Sequence, residues 1–446
     1  MIDKPQSIFD RDEFKGHAAA WADRQKNLAF RKAYYDGTIY KSIRDRFLAL
    51  GKLHAVLGPR LYRGTKALFL MLARAVDVDA GIIPGGWSFA ESAPATWETA
   101  TKQVFAWSDW ATDGVLYVHY GAQYGVTGLK VADLREAGRV VIKPLDPTTF
   151  MLVRTGQYDP TPRLAIIVET RQNADGERYE YAEVIEPTRI RTFIDGELMG
   201  VDGRESEYPN ALGFVPVVER EHIRTGEALG ECTAQKAFPI LDELNELASY
   251  LADIIKKHAE AQWIVKGAEA SDLEKSGDNI WFFPEGGDAQ ALVAAIDITG
   301  VLEFIREIRV QVEEALPELA FAVLKQKDQI ATATLELQLA ELVFKVKRCR
   351  PNYDHGLADA LRMAGKAAKS MGISELAALD DEALSFDTER PILPLDRLTQ
   401  IAIAQAELAL AQQRAMGQAE AMQPAARPSD MDGAGDDEGD NGPAAD

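Results

Sequence analysis

Six histidines, two cysteines and a few close-set carboxylates are the residues that could do chemistry, and their spacing assigns them none. His17, His54, His119, His222, His258 and His355 are scattered, no two within five residues, so the short spacings with which a helix grips zinc are absent. Asp77 with Asp79, and Asp380, Asp381 and Glu382, could hold a cation, but solvated loop acids are the plainer reading. Cys232 could act as a nucleophile only beside a base, and its place at the start of a helix favours packing. The stretch GAQYGVTG is rich in glycine but wrongly spaced for a dinucleotide fingerprint, and reads as a turn between strands. Neither G-x-x-x-x-G-K-S/T nor G-x-S-x-G occurs. The densest basic cluster, Lys345, Lys347, Arg348 and Arg350, fits a phosphate contact or a solvated helix face paired with acids equally well. No catalytic residue, metal ligand or cofactor is assigned.

Charge is more informative. The 446 residues carry 49 Lys and Arg against 70 Asp and Glu, a net of −21, which argues against wrapping DNA on a basic face. The excess is uneven: residues 1–75 hold 15 basic and 7 acidic residues, +8, leaving 34 basic and 63 acidic residues, −29, for the remainder. From Pro428 the last 19 residues hold seven acids and no base. Composition is otherwise that of a globular protein, 46% hydrophobic and 27% charged, and the length exceeds what one core fills. The apolar run Ala67–Ala73 meets Arg74, too short for a bilayer. The acidic start MIDKPQSIFDRDEFK lacks the pattern of a signal peptide, and two cysteines suit a reducing compartment, so the expected location is the cytoplasm of the cell that makes it.

The elements follow from periodicity. Residues 10–75 read as helical, with Ile39, Ile43, Phe47 and Leu50 at helical spacing, and Trp97–Trp110 reads as an amphipathic helix. GVLYVHYG, RVVIKPL, RLAIIVETR, YEYAEVIEP and IRTFIDG read as strands, with a hairpin turn at Asp175-Gly176, making an α+β domain that ends near residue 219. A helical stripe then runs through Phe238, Leu241, Leu244, Leu247, Leu251 and Ile255. An insert with strands at Trp263–Val265 and Ile280–Phe283 follows, and a second helix resumes with Val301, Ile305, Ile308, Val312 and Leu316. Pro317 ends it, AFAVLKQKDQIA leads to a long helix from about Thr332, and Pro351 is expected to kink or break that helix. A small helical unit follows Gly372, and the Pro, Gly and acid-rich end from Gln423 is expected to be disordered.

This order resembles the portal proteins of tailed bacteriophages with an SPP1-like fold. DGVLYVHY followed by VVIKPLDPTTFMLV, then YAEVIEPTRIRTFIDGE and LGFVPVVERE, look like the wing of that family. ALGECTAQKAFPILDELNELASYLADIIKKHAEAQWIVKG is similar to its first stem helix and first clip strand. The likeness covers roughly residues 25–420 and departs at QIATATLELQ, where the family often carries a Ser-Gly pair.

The resemblance implies an N-terminal arm at 1–40, a wing at 41–232, stem helices at 233–259 and 299–317 around a small α/β clip at 260–298, a tunnel loop at 318–331, a long wing helix at 332–371, a helical crown at 372–422 and an acidic tail at 423–446. It implies a homo-oligomeric ring of about twelve subunits at one capsid vertex. Double-stranded DNA passes through such a ring, packaged by the terminase large subunit and later ejected. Major capsid, scaffold and head-tail adaptor proteins would be further partners, with no cofactor, no catalysis and no membrane. Lys325, Gln326, Lys327 and Asp328 would line the channel at the tunnel loop, or form an ordinary polar loop. Glu269, Asp272, Glu274, Asp278, Glu285 and Asp288 would face terminase from the clip, or be merely solvated. Leu244, Leu247, Leu251, Ile305, Ile308 and Val312 would pack the stem. Another virion component, an adaptor or minor head protein, or an unrecognised enzyme built on the wing sheet, are the alternatives. The basic front, with Arg44, Arg46 and Lys52, is expected on the wing periphery.

Overall fold

A computed structural model of the protein describes residues 7–39, 69–156, 159–173, 175–200, 205–227, 229–259, 262–266, 288–292, 298–319 and 339–392. The chain divides into two units, Met1–Leu393 and Pro394–Asp446, and every described residue belongs to the first. The acidic tail, most of the crown, the tunnel loop beyond Leu319, Arg44, Arg46, Lys52 and the strand expected at Ile280–Phe283 lie outside the described residues.

A Ser7 capping box opens a short 3-10 turn, Ile8–Asp10, and helix α1 follows at Lys15–Tyr35. Helices α2 (Met71–Ile82), α3 (Ala95–Ser108) and α4 (Trp110–Tyr124) come next. The helix expected over Trp97–Trp110 is therefore two, parted at Asp109, whose φ of 55° places it in the left-handed region that ends helices. GVLYVHYG is a helix and not a strand. Its valines and tyrosines favour strands, but Gly114, Tyr117, Val118 and Gly121 are buried together at i, i+3, i+4 and i+7, a helical face against the core. Tertiary packing overrides the weak β-preference of these residue types. GAQYGVTG is accordingly the junction from α4 to the next strand, turning at Gly125 with φ 80°.

That strand, β1 (Val126–Leu134), was not anticipated. It is the centre of a three-stranded antiparallel sheet between β2 (Arg139–Leu145) and β9 (Val217–Glu221). A second antiparallel sheet runs in the order β3 (Phe150–Arg154), β4 (Pro162–Gln172), β5 (Arg178–Ile185), β6 (Arg189–Ile194) and β7 (Glu197–Leu198), with β8 (Glu207–Pro209) also on β6. The expected hairpin joins β4 to β5: Asn173 Oδ1 accepts from the Asp175 and Glu177 amides, and Gly176 has φ 82°.

Helices α5 (Phe238–Ala259) and α6 (Ile298–Ala315) flank a two-stranded antiparallel ribbon of β10 (Gln262–Lys266) and β11 (Asp288–Leu292). Proline 239 sits in the first turn of α5, where its missing N–H is harmless. A 3-10 turn, Pro317–Leu319, ends the pair. The long helix α7 (Ala340–Ser370) passes through Pro351 unbroken. The lost hydrogen bond is outweighed by burial on both sides of the proline, with Val346 and Cys349 before it and Tyr353 and Leu357 after it in the main core. Between Gly372 and residue 392 the described chain makes a 3-10 turn, Ser374–Leu379, and Leu376, Leu379, Leu384 and Phe386 return to that same core beside α3, α4 and the three-stranded sheet. The six-stranded sheet has its own core, closed by Ile8, Phe9 and Phe14 from the N-terminus against Ile166, Val184 and Phe193.

Candidate functional site: a two-helix stem on a buried charged junction

The apolar stripes of α5 and α6 face one another. Leu244, Leu251, Ile305, Ile308 and Val312 are buried, and Leu247 is half-buried against them. These six side chains are thus consumed inside one subunit, in a cluster that also takes Phe238, Leu241, Leu316 and Leu319 and reaches Tyr34 of α1 and Leu72 of α2. Tyr34 stacks on Phe238 at 4.1 Å and its hydroxyl donates to Asp242 at 2.7 Å, while Asn245 accepts from the Phe69 amide at 3.0 Å. The base of the stem is therefore fixed to the N-terminal helices.

What remains outside on the same two helices is unusual. Tyr250, Ile255, Leu302, Phe304 and Val310 are 40–64% exposed, between the exposed acids Glu243, Glu246, Glu303 and Glu307. Five large apolar side chains in water on one helical pair form a surface suited to contact with another chain.

Below the stem, five segments bring charged groups together out of water. Asp79 from α2, His222 from the end of β9, Thr233 from the turn before α5, Glu318 from the turn after α6, and Lys345, Cys349 and Tyr353 from α7 form one connected set. Asp79 Oδ2 accepts from the Thr233 hydroxyl at 2.5 Å and lies 3.4 Å from Lys345 Nζ. Lys345 donates to Glu318. His222 meets Tyr353 OH at 2.7 Å through Nδ1 and Thr233 Oγ1 at 2.9 Å through Nε2.

Burial alone raises a carboxyl, but at Asp79 the Lys345 charge and the contacts from His222 and Thr233 outweigh it and hold the group low. Glu318 goes the other way: burial and the neighbouring Asp79 charge lift it to about 7, against the pull of Lys345. Burial holds His222 below its ordinary value despite Asp79. One ammonium thus serves two buried carboxyls, and the proton on Glu318 relieves the surplus negative charge. Two carboxylate oxygens, Asp79 Oδ1 and Glu318 Oε2, have no hydrogen-bond partner among the described residues.

Several sequence expectations are corrected here. Asp79 is wholly buried on a helix and not a solvated loop acid. The basic cluster is neither a solvated face nor a phosphate site as a unit: Lys345 is locked to Asp79 and Glu318, and Arg350 is fully buried, donating to the backbone carbonyls of Ile83 and Arg390. Only Lys347 keeps a surface partner, Glu389 at 3.6 Å. Cys232 is buried with its thiol pushed up by burial, and burial with the Asp79 charge pushes Cys349 to about 12, so neither is an activated nucleophile. Among the described residues no three His, Cys, Asp or Glu side chains converge as metal ligands. Lys325, Gln326, Lys327 and Asp328, and clip residues Glu269, Asp272, Glu274, Asp278 and Glu285, lie outside the described residues, and Asp288 opens β11 opposite Lys266. No described helix is long and apolar enough to cross a membrane.

Residues 117–316 match the family model described as phage portal protein, SPP1 Gp6-like. The matched stretch begins within α4 and ends at the buried Leu316, one residue past α6. Among solved structures, a chain from the neck of a native GTA particle computed with C12 symmetry is similar at 11% identity and a TM-score of 0.40, covering 68% of this chain and 81% of that one. A chain from the virion of a native gene transfer agent particle matches at 12% identity and 0.38, over 83% and 94%. A third, from the neck of an empty GTA particle computed with C6 symmetry, matches at 13% and 0.39, over 65% and 77%. No curated protein matches the chain.

Proposed function

We propose that the chain, whose residues 117–316 match the model of the SPP1 Gp6-like phage portal family, is a portal protein that forms the ring-shaped channel at one capsid vertex through which DNA is packaged and later ejected. The family is structural and not enzymatic, and burial pushes both the Cys232 and Cys349 thiols up, away from an activated nucleophile. The observation that carries the ring is the stem. Its buried stripe is satisfied within the subunit, and Tyr250, Ile255, Leu302, Phe304 and Val310 are left facing water. Because those side chains are 40–64% exposed, burying the remainder against neighbouring copies gains about 1 kcal/mol each. A closed ring gives every subunit the same partner on both sides.

The remaining roles rest on this reading. Residues 260–298 form the clip that meets the terminase large subunit, and the capsid, scaffold and head-tail adaptor proteins meet the ring elsewhere. Lys325 and Lys327 touch phosphates at the tunnel loop as exchangeable point charges beside Asp328. A net charge of −21 per chain keeps DNA sliding and not adhering. Electron microscopy of the purified chain tests the ring. Intact rings with a central hole are expected, and Phe304→Asp with Val310→Asp should yield folded but unassembled subunits. Rings that form as well in that double variant, or a wild-type chain that stays monomeric, would refute the assignment.

A further inference from the structure

Apart from the stem, the described surface holds one aromatic groove that the portal reading does not use. Trp87, Phe105 and Trp110 line an open cleft of about 550 Å³ with Pro84, Ala111 and Val115. Phe105 stacks on Trp110 at 5.2 Å, with 17° between the rings, and Trp87 stands 6.2 Å from Trp110. The walls are held from behind: Phe386 packs edge-on to Trp87 at 5.9 Å, and the Arg390 guanidinium lies 5.3 Å from its ring centre. Gly114 keeps the cleft open at its floor, since a Cβ there would come within 3.0 Å of Trp110 Nε1 and 3.3 Å of Trp87 Nε1.

Three features specify an occupant. The Trp87 indole N–H has no acceptor among the described residues and calls for a carbonyl. Asp109, exposed on the rim, has no partner for its carboxylate and calls for a cation. Val115, 46% exposed, and the indole faces call for compact apolar groups. A bound helix satisfies its own carbonyls and offers the indole nothing, and a phosphate is repelled by Asp109. An extended left-handed helix of prolines keeps its carbonyls free, presents flat apolar rings and loses little entropy on binding. We propose that this groove docks a proline-rich extended segment of a partner protein, with an Arg or Lys of that segment set against Asp109 and the indole faces.

Calorimetric titration of the full chain with the acetylated peptide Arg-Ala-Leu-Pro-Pro-Leu-Pro tests the idea. Saturable binding is expected, weakened about tenfold or more by Val115→Glu, which places an unpaired charge on the apolar wall. Asp109→Asn, which tolerates the left-handed backbone, should abolish the preference for the Arg peptide over its Glu counterpart. Circular dichroism of both variants should match wild type, because both positions are exposed. Absence of saturation, equal binding of a peptide with alanines for prolines, or undiminished binding to Val115→Glu would overturn the proposal. Binding only to dissociated subunits would do so as well, by showing that a neighbouring copy already covers the groove.

Discussion

The hydroxyl of Tyr353 fills the space that a side chain on Gly121 would need. The exchange is reciprocal, because Tyr117, also on α4, seats its hydroxyl over Gly356 of α7. The two helices approach closely through a pair of glycine hollows, each occupied by a tyrosine from the other. Gly121→Ala should therefore cost about 1–3 kcal/mol by overpacking. Combining it with Tyr353→Phe should cost less than the sum of the two changes, as read from urea denaturation. Strict additivity would show that the two positions do not meet.

Lys345 is the only ammonium among the groups joined to Asp79 and Glu318 at the junction. Lys345→Met should leave buried charge uncompensated and cost about 3–5 kcal/mol. Adding Glu318→Gln should recover part of that loss. Denaturant midpoints measure both, and a Lys345→Met chain as stable as wild type would remove the junction from the stability of the fold.

Glu318 sets a sign for pH dependence. Its carboxyl lies at about 7 in the folded chain against an ordinary 4.5, so the folded state binds the proton more tightly. Its contribution is present below about pH 4.5 and is lost as pH rises towards 7. Asp79 and His222 are shifted the other way, but they titrate in both wild type and Glu318→Gln and largely cancel in the comparison. The stability of wild type relative to Glu318→Gln should fall by about 2–3 kcal/mol between pH 4.5 and 7.5. A difference that stays level or grows over that range contradicts the assignment.

Pro351 interrupts the hydrogen-bond ladder of a helix that continues past it. Restoring the N–H with Pro351→Ala should raise stability by about 1–3 kcal/mol, seen as a higher thermal midpoint. A lower midpoint would mean that the proline ring itself contributes packing that alanine cannot replace.

On the proposal that Lys325 and Lys327 line the channel, Lys325→Ala with Lys327→Ala should spare ring assembly and alter packaging or retention of the genome. Particles of the double variant that package and retain DNA normally would exclude these lysines from the channel's work.

Elements with strong period and clear boundaries were legible without coordinates. The stripes of α5 and α6, the Pro317 stop and the Asp175-Gly176 hairpin all stand where local pattern places them. Helix α4 reads as a strand in sequence because its buried face at 114, 117, 118 and 121 is built of glycine, tyrosine and valine, of which tyrosine and valine favour strands. The charged junction had almost no local signal. Asp79 and Thr233 are 154 residues apart, and Cys349 and His222 are 127 apart, so only the fold brings them together. One hint was present in Glu318, a lone acid between Leu316 and Leu319 directly after a proline.

The N-terminal segment closes the six-stranded sheet with residues made much later. Ile8 donates its amide to Glu180, 172 positions on, and Arg191 donates to Glu13 across 178. At translation rates of 5–20 residues per second, this segment waits about 10–35 s before its docking surface exists. Phe9 and Phe14, buried in the finished protein, are bare throughout that interval. The Ile8–Asp10 turn is thus a clasp that shuts only after the six-stranded sheet has been made, and chaperone demand during synthesis should concentrate there.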